Sequence, residues 1–236
     1  MEERVLSQIH ATTDRRAFKD EVLQNVVALR PVDDEFEQQF ALSIYRLLSQ
    51  GEPVRREQLA AALNRPSSDV WGTLSNWPSL IEWNDNRRVV GFAGLTLEPT
   101  RHQITMNGVS LFAWCAWDTL FIPRILGGTA NIESTCPETG RAISLTVSAS
   151  GVTHAEPSGV VMSFPHTSLA AMSENVRANF CQHVFFFSSI EDGTAWTSRE
   201  PGTIVLSIEE AFELGVRKNA LQFGALLDDS QTDAVS

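Results

Sequence analysis

A change of periodicity near Thr96 constrains the fold of this chain more than any other feature. Before it, apolar residues recur at helical spacing over residues 34–50, 54–63 and 67–77. After it, short apolar runs are separated by turn residues, as in a series of strands. Helices followed by strands, rather than alternating with them, predict an α+β fold.

The N-terminal part has the element order of a winged-helix module. A predicted hairpin over residues 80–92 follows the three predicted helices. We therefore place a winged-helix-like module at residues 31–97, after a polar, loosely attached arm over residues 1–30. The second and third helices are close to neutral, with Arg55, Arg56 and Arg65 against Glu52, Glu57 and Asp69. Because a DNA reader normally shows a basic face, we expect this module to be structural and not to bind nucleic acid.

The rest of the chain predicts a second domain over residues 98–228, built on a mixed or antiparallel β-sheet with flanking helices. Asn107-Gly108 favours a type I′ turn between two strands. Further strands are predicted near residues 130–135, 142–147, 152–155, 160–164 and 183–187, with a helix over 168–179. A capping box at Ser207 and Glu210 predicts the start of a last helix that runs to about residue 227. The polar tail, residues 229–236, is predicted to be disordered.

The net charge and the lengths of the apolar runs limit the kinds of partner that this chain can have. The net charge of -11 argues against broad contact with phosphates or an anionic membrane surface. We find no apolar run near the roughly 18 residues needed to cross a bilayer, and the first residues lack the pattern of a secretory signal. We therefore expect a cytoplasmic protein whose three cysteines remain thiols.

Cys115 and Asp118 lie three residues apart in an apolar, aromatic segment. If that segment is helical, both side chains share one face. A carboxylate is costly to bury there without a partner, which favours a functional role. The alternative, a carboxylate that faces backbone N–H groups at a helix start, remains open on the pattern alone.

The other two cysteines differ in context. Cys136 begins a Cys-Pro-x-x-Gly turn like half of a zinc ribbon, but Thr139 occupies the second ligand position and no partner pair exists. We therefore expect Cys136 to be structural. Cys181 precedes His183, which in a continued strand would share its face and could lower the pKa of the thiol. We favour a structural role for His183.

Two separated thiols and one carboxylate limit the kinds of site that this chain could form. The sequence lacks a Cys-x-x-Cys redox motif and the local context of a papain-like cysteine hydrolase. A pair of thiolates in an apolar pocket suits a soft, thiophilic metal.

The segment LFAWCAWDTLFIP (residues 111–123) closely resembles the active-site segment of organomercurial (alkylmercury) lyases. Further segments fit the same family in order: the Cys136 turn, SLTV (144–147), Glu156-Pro, FCQHVFFF (180–187) and EAFELG (210–215). The resemblance covers roughly residues 53–215. Gln182 departs from some relatives, which carry a second cysteine there.

The resemblance implies a site and a reaction. Cys115 and Cys181 fall on the family's mercury-binding catalytic thiols, Asp118 on its catalytic acid and Cys136 on a structural cysteine. The implied activity is protonolysis of carbon–mercury bonds, with organomercurials as substrates, excess small thiols and no cofactor. It also implies that a mercuric reductase takes Hg²⁺ away. The alternatives are a thiol-based protein that holds Hg²⁺ or Cu⁺ without catalysis, and a metal-sensing regulator.

Overall fold

The computed structural model describes residues 2–29, 34–224 and 226–229. The helices are α1 (Glu2–Ala28), α2 (Glu35–Leu48), α3 (Arg56–Leu63), α4 (Ser67–Ser75), α5 (Asp118–Leu126), α6 (Leu169–Asn179), α7 (Ile190–Thr197), α8 (Ile208–Phe223) and α9 (Leu226–Asp229). The strands are β1 (Ile81–Trp83), β2 (Val89–Phe92), β3 (Leu95–Thr96), β4 (His102–Met106), β5 (Val109–Ala113), β6 (Ala130–Thr135), β7 (Ala142–Ser148), β8 (Gly151–Glu156), β9 (Val161–Pro165), β10 (Phe186–Phe187) and β11 (Thr203–Ser207). The α+β class expected from the sequence is confirmed.

Helices α2 to α4 and the hairpin β1–β2 follow in the expected order. Asp34 caps α2 by accepting the N–H of Glu37, and the apolar face of the helix buries Phe40, Ile44 and Leu48. The winged-helix assignment and the domain boundaries stay predictions. Strands β1 to β3, which precede the predicted boundary at residue 97, belong to the same sheet as β4 to β8. The sheet therefore continues across that boundary.

That sheet has eight antiparallel strands in the order β1-β2-β3-β5-β4-β6-β7-β8. The expected turn at Asn107-Gly108 joins β4 to β5, and both turn residues have positive φ, 52° and 78°. This hairpin lies next to β3, because β5 pairs with β3 at its other edge.

A smaller sheet, in the order β10-β9-β11, completes the strand pairing in the part of the chain described here. The strand expected over residues 183–187 is mostly wrong. Only Phe186–Phe187 pairs as a strand, whereas Cys181–His183 forms one 3₁₀ turn. The chain turns there because the N–H of Val184 donates to the carbonyl of Cys181, 3.2 Å away.

The loose attachment expected for residues 1–30 is also wrong for the part whose side chains are described. Val22 and Leu23 of α1 are completely buried in the core. Arg15 and Lys19 bind the Glu210 carboxylate at 2.6 and 2.9 Å. Sequence patterning missed this packing because α1 has only weak helical amphipathicity. The predicted disordered tail lies, from residue 230 onward, outside the described residues.

Helix α8 packs closely along α5 and fixes its position. It begins at the expected capping box, in which Ser207 accepts the N–H of Glu210. The indole N–H of Trp117 donates to the carbonyl of Ala211 at 2.9 Å. A Cβ on Gly215 would lie only 2.8 Å from Cβ of Phe121, so a glycine is needed for this approach.

Candidate active site

The first thiol lies in the turn between β5 and α5. Cys115 is fully buried, and Asp118 is the first residue of α5. The expectation that both residues share a helical face is therefore wrong. They meet because the N–H of Cys115 donates to Oδ2 of Asp118 over 2.9 Å. The interpretation of Asp118 as a helix-start carboxylate that accepts backbone N–H groups holds, and it does not exclude a functional role.

The second thiol comes from the 3₁₀ turn after α6. Its segment is tied to the first, since the N–H of Ala116 donates to the carbonyl of Val184 at 3.2 Å. Cys181 is 6% exposed, as is Asp118. The structure brings all three candidate residues together: the two sulfurs and a carboxylate oxygen lie within 4.8 Å of one another. Such a group matches the ligands of a thiophilic metal.

Burial dominates the proton affinities of this group. Burial raises the pKa of Asp118 to about 6, against opposing effects of Cys115 hydrogen bonds and the Lys218 charge. Burial, together with the Cys181 hydrogen bond and the Asp118 charge, raises the pKa of Cys115 well above its ordinary value. For Cys181, the hydrogen bond from Cys115 lowers the pKa, but burial and the Asp118 charge raise it overall.

A cavity opens onto this group. Its volume is about 50 Å³. Asp118 and Cys181 line it, and Cys115 lies behind them. Most of the remaining wall is apolar and includes Leu80, Trp114, Trp117, Phe121, Val176 and Phe180. Such a cavity admits a small apolar group and few waters.

Gly94, which the sequence analysis missed, makes room for the carboxylate. It joins β2 to β3 with a φ of +105°, and an added Cβ would lie 2.4 Å from Oδ1 of Asp118. Its carbonyl accepts the N–H of Trp114 at 2.8 Å. A single sequence offers little warning of this role, because a glycine in a turn is ordinarily read as turn geometry.

A second missed feature surrounds Trp114. Its indole N–H donates to the Glu82 carboxylate at 2.7 Å, and Glu82 also pairs with Arg177. The Arg177 guanidinium lies 5.3 Å from the centre of the Trp114 ring. Glu82 belongs to β1 and Arg177 to α6, so this contact joins the N-terminal module to both thiol-bearing segments.

Cys136 and His183 lie outside the group. Cys136 is fully buried in the turn between β6 and β7, where it accepts the N–H of Gly140 through its carbonyl. His183 faces Glu200, with 3.7 Å between Nδ1 and the carboxylate, and is 39% exposed. The strand geometry that would have placed His183 beside Cys181 is absent, since both residues lie in the 3₁₀ turn.

Comparisons with known proteins agree on one family. The family model described as MerB, alkylmercury lyase, matches residues 95–218, more than half of the chain. An alkylmercury lyase of Staphylococcus epidermidis is 41% identical over 172 residues, covering 73% of this chain and 77% of that protein. One of Pseudomonas putida is 37% identical over 190 residues, covering 80% of this chain and 85% of that protein.

A solved structure, described as the mercury-bound form of MerB2, has a TM-score of 0.73 to this chain. It covers 86% of this chain and 99% of that one at 23% identity, so it supports the fold alone. The evidence for relationship is the family model and the curated relatives, and the family model spans the segments that carry Cys115, Asp118 and Cys181. This chain belongs to the alkylmercury lyase family.

Proposed function

We propose that this chain cleaves carbon–mercury bonds by protonolysis and that Cys115, Cys181 and Asp118 carry out the reaction. The observation that supports these roles is the buried group itself, with two sulfurs and a carboxylate oxygen within 4.8 Å. Sulfur ligands bind mercury, and the carboxyl group beside them can hold a proton next to the carbon that must receive it.

Cys181 meets the substrate first in this proposal. It lines the cavity, whereas Cys115 lies behind it. The organomercurial arrives as R–Hg–SR′, its mercury bound to a small thiol. The Cys181 sulfur displaces that thiol, which leaves as R′SH with the proton of Cys181. The product is Cys181-S–Hg–R, and no net charge is created in the apolar cavity.

The second thiol supplies the proton for cleavage. Mercury binding makes the Cys115 thiol far more acidic, as metal binding does for thiols generally. Its proton passes to Asp118, whose pKa of about 6 leaves the carboxylate ready to accept it at neutral pH. Two thiolates on mercury raise the electron density on the bound carbon. Asp118 then protonates that carbon, R–H leaves, and Hg²⁺ stays on both sulfurs with Asp118 ionised again.

The remaining expectations belong to the same proposal. The reaction needs no cofactor, because the proton and both mercury ligands come from the chain. Small cytosolic thiols, or a mercuric reductase, would remove Hg²⁺ and restore the free thiols. We place the protein in the cytoplasm. In the described part of the chain, no helix combines the length and the apolar character needed to span a membrane.

The alternative is a protein that binds Hg²⁺ or Cu⁺ without catalysis. In such a protein Asp118 would have no role as a proton donor. A site that only binds the metal needs the two sulfurs. A buried carboxylate beside them costs free energy without contributing to that binding. The test is incubation of purified protein with phenylmercury and excess small thiol, followed by measurement of benzene. Catalytic release of benzene is expected. Stoichiometric mercury binding with no benzene would contradict the proposal and favour the binding protein.

A further inference from the structure

Two polar side chains in the cavity wall take no part in the proposed reaction. Lys218 and Gln222 both line it, and they are only 5% and 4% exposed. They lie one turn apart on α8, so their side chains project in similar directions. Most of the other lining side chains are apolar, Val26 and Leu29 of the N-terminal segment among them. A pocket for a purely hydrocarbon group would have no use for these two.

Helix α8 holds these side chains in a fixed position. The Asn219 side chain donates to the carbonyl of Phe121 at 3.0 Å, between Lys218 and Gln222 in sequence. Gly215, one turn earlier, lets α8 approach α5 closely. Polar groups on a rigid, packed helix recognise a ligand group more selectively than groups on a mobile loop.

The Lys218 ammonium is expensive to bury. Its nitrogen lies 3.8 Å from the centre of the Phe121 ring, and the Asp118 carboxylate contributes an opposite charge. A buried cation is usually retained for a paired charge or for function. Lys218 offers up to three N–H donors, and Gln222 adds two more from its amide. Together they add hydrogen-bond donors to a cavity wall that is mostly apolar.

We propose that Lys218 and Gln222 form a subsite that selects organomercurials whose organic group carries an anionic or hydrogen-bond-accepting substituent, such as a carboxylate. This inference rests on the proposed function, because it assigns the substrate class of the same site. The mercury of the substrate binds the thiols, its hydrocarbon part contacts the apolar wall, and its acceptor group meets the donors of α8.

A different role for Lys218 would be to act on Asp118 through charge alone. In that role, Lys218 would change kcat/KM for every substrate by the same factor. The ratio of kcat/KM for two substrates therefore separates the two possibilities. We would measure kcat/KM for 4-carboxyphenylmercury and for phenylmercury with excess thiol. The ratio of the first to the second is the readout, for the parent protein and for Lys218→Met, Lys218→Arg and Gln222→Leu.

The expected result is a fall in this ratio of about 10- to 100-fold for Lys218→Met, the range for losing a hydrogen bond to a charged group. Lys218→Arg should retain most of the preference, and Gln222→Leu should lower it less. Lys19→Met, which removes a cation that binds Glu210 outside the cavity, should leave the ratio unchanged. If Lys218→Met fails to fold, the Gln222→Leu ratio decides.

An unchanged ratio in Lys218→Met and Gln222→Leu, with benzene still released, would overturn the subsite and leave the proposed function standing. Absence of cleavage of either compound by the parent protein would instead contradict the proposed function, and the subsite would fall with it.

Discussion

The backbone N–H of Cys115 donates to the side chain of Asp118 across 2.9 Å, and this bond closes the turn that leads into α5. One contact therefore orients the proposed proton donor and fixes the backbone of the first thiol. It also means that a change at position 118 alters structure as well as chemistry. Tests of Asp118 must keep this hydrogen bond.

Replacing either active thiol with alanine should abolish cleavage, because both sulfurs must donate to mercury. Benzene release from phenylmercury measures the effect for Cys115→Ala and Cys181→Ala. The matched control is Cys136→Ala, which should retain turnover and lose stability, on the order of 1–3 kcal/mol for a small buried residue. A folded but inactive Cys136 variant alongside a fully active Cys181→Ala would show that the thiols are wrongly assigned.

Asp118→Asn should separate mercury binding from cleavage. The asparagine can still accept the N–H of Cys115 but cannot carry the proton to carbon. Mercury should still bind through the sulfurs, while single-turnover benzene release should fall by roughly 10²–10⁴, the usual effect of losing a positioned acid. Unchanged release would show that the proton comes from elsewhere.

The same variant should be more stable than the parent at neutral pH. Burial raises the pKa of Asp118 from 3.8 to about 6, so the folded protein binds that proton more tightly than the unfolded chain does. The stabilisation from this proton is complete below about pH 4 and is lost as the pH rises through about 6. At pH 7.5 Asp118→Asn should gain on the order of 1–3 kcal/mol. Denaturant unfolding at pH 7.5 and 4.5 measures the gain, which should shrink at the lower pH.

Glu210→Gln provides the control of opposite sign for this prediction. The Arg15 hydrogen bond and other partners outweigh burial and lower the pKa of Glu210 from 4.5 to about 2. Its contribution to stability is present above pH 4.5 and is lost as the pH falls through about 2. Glu210→Gln should therefore be less stable than the parent at pH 7.5. If Asp118→Asn also lost stability at pH 7.5, the assigned cost of the buried carboxylate would be wrong.

Gly94→Ala should impair cleavage by displacing the Asp118 carboxylate. The new Cβ would lie 2.4 Å from Oδ1, so the side chain must move. A displacement near 1 Å at a reacting group can cost about 10²-fold in rate. Gly108→Ala is matched for backbone strain, since its φ is +78° but nothing lies within 4 Å of the added carbon.

Both glycine variants should lose stability, on the order of 1–2 kcal/mol from the positive φ. Only Gly94→Ala should also lose benzene release in excess of any unfolded fraction. Equal activity of the two folded variants would mean that Gly94 is needed only for the backbone conformation of the turn and does not position the Asp118 carboxylate.

The N-terminal module should show no sequence-specific DNA binding. The structure supplies one observation against this prediction: Arg55 and Arg56 lie beside Arg87 and Arg88 of the β1–β2 turn, around a surface depression. The overall charge of -11 opposes DNA, and α3 adds Glu57 to the same depression. Electrophoretic mobility shift with random and selected duplexes at physiological salt is the measurement. Submicromolar binding to one sequence would overturn the prediction.

The sequence by itself determined the fold class, the Asn107-Gly108 hairpin and the capping box at Ser207, because each depends on neighbouring residues. It also singled out Cys115, Asp118 and Cys181, through their local contexts and a family resemblance. It predicted a strand over residues 183–187 where only Phe186–Phe187 pairs as one, since a run of phenylalanines has no period that separates a buried strand from a buried turn.

Only the tertiary structure decided how the site is assembled. Cys115 and Cys181 are 66 positions apart in the chain, and no local pattern encodes a distance between them. Gly94 and Lys218 reach Asp118 from a different strand turn and from the last long helix, so their roles exist only once the sheet and α8 have packed. Short-range preferences determine the helices and strands, whereas long-range burial brought the thiols, the carboxylate and the ammonium close together.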